Sequence, residues 1–251
     1  MSRYFISPLF FFATFWGFTQ NESSDRQQRD TVPYHLEYGL RVGIDLSRPV
    51  LSFANNGYTG IEFVGDYRFS DKIWLAGELG NEKRTDQEDL YNFTTSGSYL
   101  KLGVDYNTYQ NWYGMNNSIT IGGRYAVASF SQTLNEYQIY DSNRYFYADD
   151  FVVGGTQPEE FSGLNATWLE MVLGMKAELF ANIYIGMSVR LGHLVTNKEA
   201  DRFPNLWIPG FNKVTDGAKW GVGYNYSISY FLPLYKKAKK KRVPAEEEGS
   251  E

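Results

Sequence analysis

Residues 34–46, YHLEYGLRVGIDL, decide the fold. Tyr34, Leu36, Tyr38, Leu40, Val42, Ile44 and Leu46 alternate with His35, Glu37, Gly39, Arg41, Gly43 and Asp45. Successive side chains of a strand point to opposite faces, so this is a strand with one apolar face and one charged or glycine face. Ordinary strands run about 5–6 residues. The alternation here holds for roughly twice that, and a tilted strand of about 9–11 residues crosses a bilayer.

Partners of the same kind follow along the chain. Ile61, Phe63, Tyr67 and Phe69 alternate with Glu62, Val64, Asp66 and Arg68. After Ser70-Asp71-Lys72, the residues Ile73, Leu75 and Leu79 alternate with Trp74, Ala76 and Glu78, and so short a link predicts an antiparallel hairpin. Leu100, Leu102, Val104 and Tyr106 oppose Tyr99, Lys101, Gly103 and Asp105. Ile119, Ile121, Tyr125 and Val127 oppose Thr120, Gly122, Arg124 and Ala126, in a strand that continues through Phe130 towards Tyr140. Leu169, Met171, Leu173, Met175 and Leu179 oppose Glu170, Gly174, Lys176 and Glu178. Ala181-Asn182 turns that strand into Ile183, Ile185, Met187, Val189 and Leu191 against Tyr184, Gly186, Ser188 and Arg190. Trp220, Val222, Tyr224, Tyr226, Ile228 and Tyr230, set against Lys219, Gly221, Gly223, Asn225, Ser227 and Ser229, complete eight segments.

The links have a rhythm. Those after the second, fourth and sixth strands are shorter, and those after the third, fifth and seventh (81–97, 141–165 and 195–217) are long. Outer-membrane barrels pair short periplasmic turns with long extracellular loops. The pattern predicts an all-β, eight-stranded antiparallel transmembrane up-and-down barrel with both termini in the periplasm. SRPVLSFANNGY (47–58) interrupts the alternation with Pro49 and the turn signal Asn55-Asn56-Gly57.

Composition fits this class and excludes others. The chain has 251 residues, a net charge of -5, twenty tyrosines and 24 glycines. No general basic surface advertises nucleic-acid binding. A mean hydropathy of -0.42 argues against a bundle of transmembrane helices. The absence of cysteine excludes disulfides, thiolate metal sites and lipid attachment at an N-terminal cysteine.

Arg3 followed by the apolar run Tyr4 to Phe18 and a polar exit at Thr19 describes a secretory signal peptide over 1–19. Residues 20–33 form a polar, flexible periplasmic leader, 34–232 the barrel, and 233–251 a charged periplasmic tail.

Eight strands enclose an interior just wide enough for side chains to fill. The polar faces place Glu37, Arg41, Asp45, Glu62, Asp66, Arg68, Glu78, Lys101, Asp105, Arg124, Glu170, Lys176, Glu178, Arg190 and Lys219 there, so the lumen is expected to be a packed ion-pair network. Glycines such as Gly103 and Gly122 on that face would relieve crowding. Tyr34, Phe69, Tyr106, Phe180 and Tyr230 fall at periplasmic strand ends, where an aromatic girdle belongs.

Catalytic chemistry is sparse. The two histidines, His35 and His193, fall at opposite ends of the barrel and cannot share a triad or a metal. Gly221-Val222-Gly223 precedes no helix and does not read as a phosphate loop. DSNRYFYADD (141–150) has spaced oxygens but lacks the glycine and terminal Glu of a calcium loop. No cofactor, no metal and no enzymatic activity are expected. The basic run Lys236, Lys237, Lys239, Lys240, Lys241 and Arg242 reads either as a solvated chain end or as a periplasmic contact with an acidic partner or with inner-leaflet phosphates.

WGVGYNYSISYF resembles the terminal-strand signal that outer-membrane barrels offer to their assembly machinery, through Gly221, Tyr224, Tyr226, Ile228, Tyr230 and Phe231. The chain continues about twenty residues past that aromatic end, where many such proteins stop. More widely, YGLRVGIDLSRP, GNEKRT, YLKLGVDYN and SFSQTLNEYQIYD resemble an uncharacterised family of small outer-membrane barrels from Bacteroidota, over about residues 34–232. The resemblance implies fold and location, with no activity to transfer. Barrels of this size also serve as accessory subunits of outer-membrane insertion or secretion complexes. The expectation is therefore a structural subunit engaging other envelope proteins and outer-membrane lipid. A small-solute transporter and a lipid- or peptide-modifying enzyme are the alternatives.

Overall fold

The computed structural model describes residues 35–109, 117–140, 151–155, 157–200, 203–214 and 219–238. Eight of its strands close into a ring: β1 (His35–Asp45), β2 (Tyr58–Arg68), β3 (Ile73–Gln87), β4 (Tyr91–Asn107), β5 (Ser118–Tyr140), β7 (Glu159–Phe180), β8 (Ile183–Lys198) and β11 (Trp220–Ala238). Every neighbour in sequence is an antiparallel neighbour in space, and β1 meets β11 to complete the circle. A short strand β6 (Phe151–Gly155) extends the sheet from the far end of β5, and β9 (Trp207–Ile208) with β10 (Asn212–Lys213) forms a two-stranded ribbon. The fold expected from alternation is the fold observed.

The two ends of the barrel differ. One, the turn end, holds the β2–β3 and β7–β8 turns and the start of β1 beside the end of β11. Asn182 takes a left-handed φ of 66° in the two-residue β7–β8 turn, a conformation that asparagine tolerates. The other, the loop end, differs from the expectation. Residues 81–97 are a hairpin, with Glu82 opposite Gly97 and Gln87 opposite Asn92, and only 88–90 turn. Polar side chains on its outer face hid the strand period. Residues 159–165, expected in a loop, are the start of β7, while 141–150 lie outside the described residues.

The stretch after β1 is α1 (Ser47–Ala54), with Pro49 in its first turn, where a missing N–H costs nothing. β11 runs past Phe231 to Ala238, so the strand takes six residues expected in the tail. Pro233 cannot donate to a ladder, and the register slips there: Tyr38 faces Tyr235 but Gly39 faces Pro233. The bulge inverts the expected face of Tyr38, which is buried and donates its hydroxyl to Asp71.

Polarity is inverted relative to a water-soluble barrel. Leu75, Leu79, Leu102, Val104, Ile121, Leu173, Val189 and Val222 stand outward and exposed. Charged side chains fill the inside. Glycine makes room for them at two places in one ladder. Gly122 faces Asp105 and Gly103 faces Arg124. A Cβ on Gly122 would stand 1.9 Å from the Asp105 carboxylate, and one on Gly103 would stand 2.7 Å from Arg124 Cδ. Gly65 looks outward, with no atom closer than 3.6 Å to its own virtual Cβ. Gly122→Ala is therefore expected to destabilise the barrel by about 1–3 kcal/mol through overpacking. Gly65→Ala should leave the urea midpoint in detergent unchanged or slightly raised.

Candidate functional site

The interior is stacked in layers. At the turn end Trp74, Tyr184 and Phe231 form a buried aromatic floor. The Arg41 guanidinium lies 3.9 Å from the Trp74 ring centre, a cation–π contact, and donates to Asp66 at 2.6 Å. Lys176 completes the Asp66 site from the opposite wall. Arg68 stands over the same floor, donating to the Glu37 and Asp71 carbonyls.

The middle layer joins five strands. Arg124 grips Asp105 with two parallel bonds of 2.7 and 2.9 Å and reaches Glu78 at 3.3 Å. Arg190 bridges Glu78 and Glu170, Lys101 donates to Glu170 at 2.8 Å, and the Trp168 indole adds a third bond to that carboxylate.

The upper layer is built around Arg48, which α1 carries into the barrel mouth. Its guanidinium lies 3.1 Å from Glu82, 3.6 Å from Glu62 and 3.9 Å from Asp45. The Tyr99 hydroxyl donates to Glu62, and Asn225 donates to Asp45 and Glu62.

A mixed apolar cap sits above. The segment carrying β9 and β10 folds inward, burying Trp207, Ile208 and Phe211. Gly210, in a left-handed φ of 79°, donates its N–H to Glu82. The Phe211 ring lies against Gly192 and Gly221, where an added Cβ would come within about 3.0 Å of it, and meets Trp168 edge-on at 5.6 Å. Gln132 ties the ribbon down by donating to the Pro204 carbonyl and accepting from Leu206 N–H.

Among the described residues the lumen thus holds seven cations (Arg41, Arg48, Arg68, Lys101, Arg124, Lys176 and Arg190) and seven anions (Asp45, Glu62, Asp66, Glu78, Glu82, Asp105 and Glu170). Arg48 and Glu82 come from stretches read as loops, so the sequence reading missed them. Glu82 did carry a signal, since it keeps the inward parity of Glu78. Three expected members lie elsewhere. Glu37 precedes the bulge and pairs with Lys236 at the rim. Glu178 accepts the Asn182 N–H of the tight turn. Lys219 is exposed just before β11, where the chain has already left the wall.

Lys236 and Lys237 are strand residues opposite Glu37 and Leu36, and Lys239, Lys240, Lys241 and Arg242 lie outside the described residues. His193 stacks near Trp220, and His35 pairs with Ala238, so the two stand at opposite ends of β11. The acidic stretch 141–150, Tyr34 and residues 1–33 are also outside the described residues.

The family matching residues 1–237 is described as a domain of unknown function, DUF6048. The chain belongs to the DUF6048 family. No curated protein matches this DUF6048 sequence. Among solved structures, it is similar to Ail, the attachment invasion locus protein of Yersinia pestis, at 12% identity and a TM-score of 0.38, covering 78% of this chain and 97% of that one. It is also similar to CarO2 of Acinetobacter baumannii, at 11% identity and a TM-score of 0.32, covering 79% and 100%. Values this low add nothing to what the strand pairing of the DUF6048 chain establishes by itself.

The network makes a sharp energetic distinction. Arg124→Ala strands the buried carboxylate of Asp105 and weakens the Glu78 site, an expected loss of about 3–5 kcal/mol. Lys83→Ala removes an exposed charge from the outer face and should cost about 0.5 kcal/mol or less. Urea unfolding in detergent, followed by tryptophan fluorescence, separates the two.

Proposed function

We propose that this barrel spans the bacterial outer membrane, turn end in the periplasm, and acts as an accessory subunit engaging other envelope proteins. One observation carries the membrane part: ionised residues are enclosed while the apolar face of every wall strand looks outward. A continuous apolar exterior far exceeds the few hundred Å² that soluble monomers expose. Leu169 to Leu179 covers about 34 Å along its strand at about 3.4 Å per residue. At a tilt of about 45° that is about 24 Å of height, close to the roughly 25 Å apolar band of such barrels. Phe69, Tyr106, Phe180 and Tyr230 stand exposed at the turn end, as an interfacial girdle would. A signal peptide over 1–19 supplies the export that this location needs.

The subunit reading rests on where surface is left over. The lumen is filled by paired charges and closed by aromatic residues, so the outside is the natural working surface. β3, β4, β5, β7 and β8 continue past the apolar band, and their outer faces turn polar through Asn81, Lys83, Ser96, Ser98, Ser129 and Thr167. Cross-strand bonds from Asn81 to Ser98 and between Thr167 and Thr196 tie neighbouring strands of this face together. A rigid wall standing clear of lipid suits protein contact.

Two measurements test the reading. A spin label at Leu102 should meet lipid-dissolved oxygen, and one at Ser96 should meet water-soluble nickel chelate instead; the reverse order would sink the membrane placement. Tagged protein extracted in mild detergent should bring envelope proteins with it in fixed ratio, whereas recovery of the barrel alone would remove the subunit role. In planar bilayers the purified barrel should give no steady conductance.

A further inference from the structure

The wall is not equally tall all round. β1 pairs with β2 only from Leu40 opposite Tyr67 to Ile44 opposite Phe63, and with β11 only as far as Asp45 opposite Ser227. Above that level, β11 from Trp220 to Tyr226 has no ladder partner on the side of β1. Val222 stands opposite Leu191, and Leu191 opposite Met171, so the gap lies within the height of the apolar band. Helix α1 enters this gap but leans to one side. At β2, Ser52 accepts the Gly60 N–H, and the carbonyl of Asn55, just past the helix, accepts the Tyr58 N–H. At β11 only the helix start is fastened, with Leu46 N–H donating to the Tyr226 carbonyl and Tyr226 N–H to the Asp45 carboxylate.

The edge left over is an open one. In an antiparallel strand the N–H and C=O of one residue point to the same side, and alternate residues point to opposite sides. Tyr226 points towards β1, so Tyr224 and Val222 do as well, while Lys219, of the other parity, accepts from Leu194 of β8. The Val222 carbonyl receives the Asn212 amide. Among the described residues, the N–H groups of Val222 and Tyr224 and the Tyr224 carbonyl have no partner. Their surroundings are apolar: Val222 is 68% exposed and Phe53 of the helix 90%. Hydrocarbon offers nothing to such backbone groups, and spanning barrels otherwise leave no sheet edge open to lipid.

We propose that the Trp220–Tyr224 edge of β11 receives an extended apolar segment of another envelope polypeptide, added antiparallel to β11 above the end of β1. An open edge offers donors and acceptors at strand spacing, and extended backbone is what matches them. The added strand prolongs the β1–β11 ladder, with its outward side chains between Val222 and Phe53. A second copy of this chain does not fit. Two copies in one membrane are related by a two-fold along the membrane normal, so β11 strands tilted by about 45° would cross at about 90° and form no ladder. The inference rests on the membrane-spanning subunit reading above and names its point of contact.

The test uses the full-length mature protein, isotope-labelled, in uncharged maltoside micelles. A protein that stays monodisperse after detergent removal would defeat the membrane reading before any peptide is added. The probe is an unlabelled, end-capped, five-residue peptide of alternating valine and threonine, followed by NMR. The amides of Val222 and Tyr224 should shift and show nuclear Overhauser contacts to the peptide backbone, saturating at one equivalent. Those of Gly221 and Gly223, which face β8, should show no such contacts. The same peptide N-methylated at every residue should give none.

Val222→Pro removes one donor that faces the gap, at an edge position where proline is tolerated, and should weaken peptide binding severalfold. Equal binding of the N-methylated peptide would overturn strand pairing as micellar partition. Contacts from the Val222 and Tyr224 amides to a second copy, in a mixture of labelled and unlabelled protein without peptide, would overturn the foreign partner. Unchanged affinity in Val222→Pro, or peptide contacts confined to other residues, would overturn the site.

Discussion

The structure depends on electrical balance inside a closed sheet. Carboxylates such as Glu62 and Glu82 have no exposure to solvent, and burying one charge without partners costs several kcal/mol. Each is met by guanidinium, ammonium, amide or hydroxyl donors from other strands. Such pairs add little net stability over a well-packed apolar core. Their value lies in specificity. A slip of one residue would turn every charge on a strand towards the greasy side, so only one register keeps them all enclosed.

The two ends are closed by different means. At the turn end, Trp74, Tyr184 and Phe231 form a dry floor on which Arg41 rests. At the loop end a chain segment, not a strand residue, does the closing: Gly210 and Phe211 enter where Gly192 and Gly221 leave space. Polar donors of the inserted ribbon address the same carboxylates as Arg48, so cap and ion network are one connected body. The result is a solid plug, tall on the β3–β8 side and low where α1 crosses.

The sequence was most legible where a strand has two unlike faces. In β4, Leu100, Leu102 and Val104 against Lys101, Gly103 and Asp105 admit only one orientation, and the structure has it. Legibility failed where both faces are polar. Asn81, Lys83 and Thr85 alternate with Glu82 and Arg84, and without hydrophobic contrast a strand period is invisible. It failed again in α1, because eight residues with an early proline and an Asn-Asn-Gly exit look like any surface link. The inserted ribbon had a cue of another sort: Trp207, Ile208 and Phe211 are large apolar residues in a stretch with no period. Such residues in a long connection need cover, and the nearest cover was the barrel mouth. Of the lumen itself, parity placed Arg41, Asp66, Glu78, Lys101, Asp105, Arg124, Glu170, Lys176 and Arg190 on the inward face, but it cannot tell which cation faces which anion. That depends on strand stagger, and a bulge such as the one at Pro233 shifts it.

The spread of this network over nearly every strand bears on how the molecule is born. In a bilayer, no lone segment carrying Glu78 or Lys101 has a comfortable resting place among acyl chains, because its counter-ions ride on other segments. Insertion one strand at a time would expose each ion in turn. The sheet must instead gather its eight members while the ions are still hydrated, then shut as β1 reaches β11, the two ends of a long loop and the slowest pair to meet. Dehydration and ring closure become a single event.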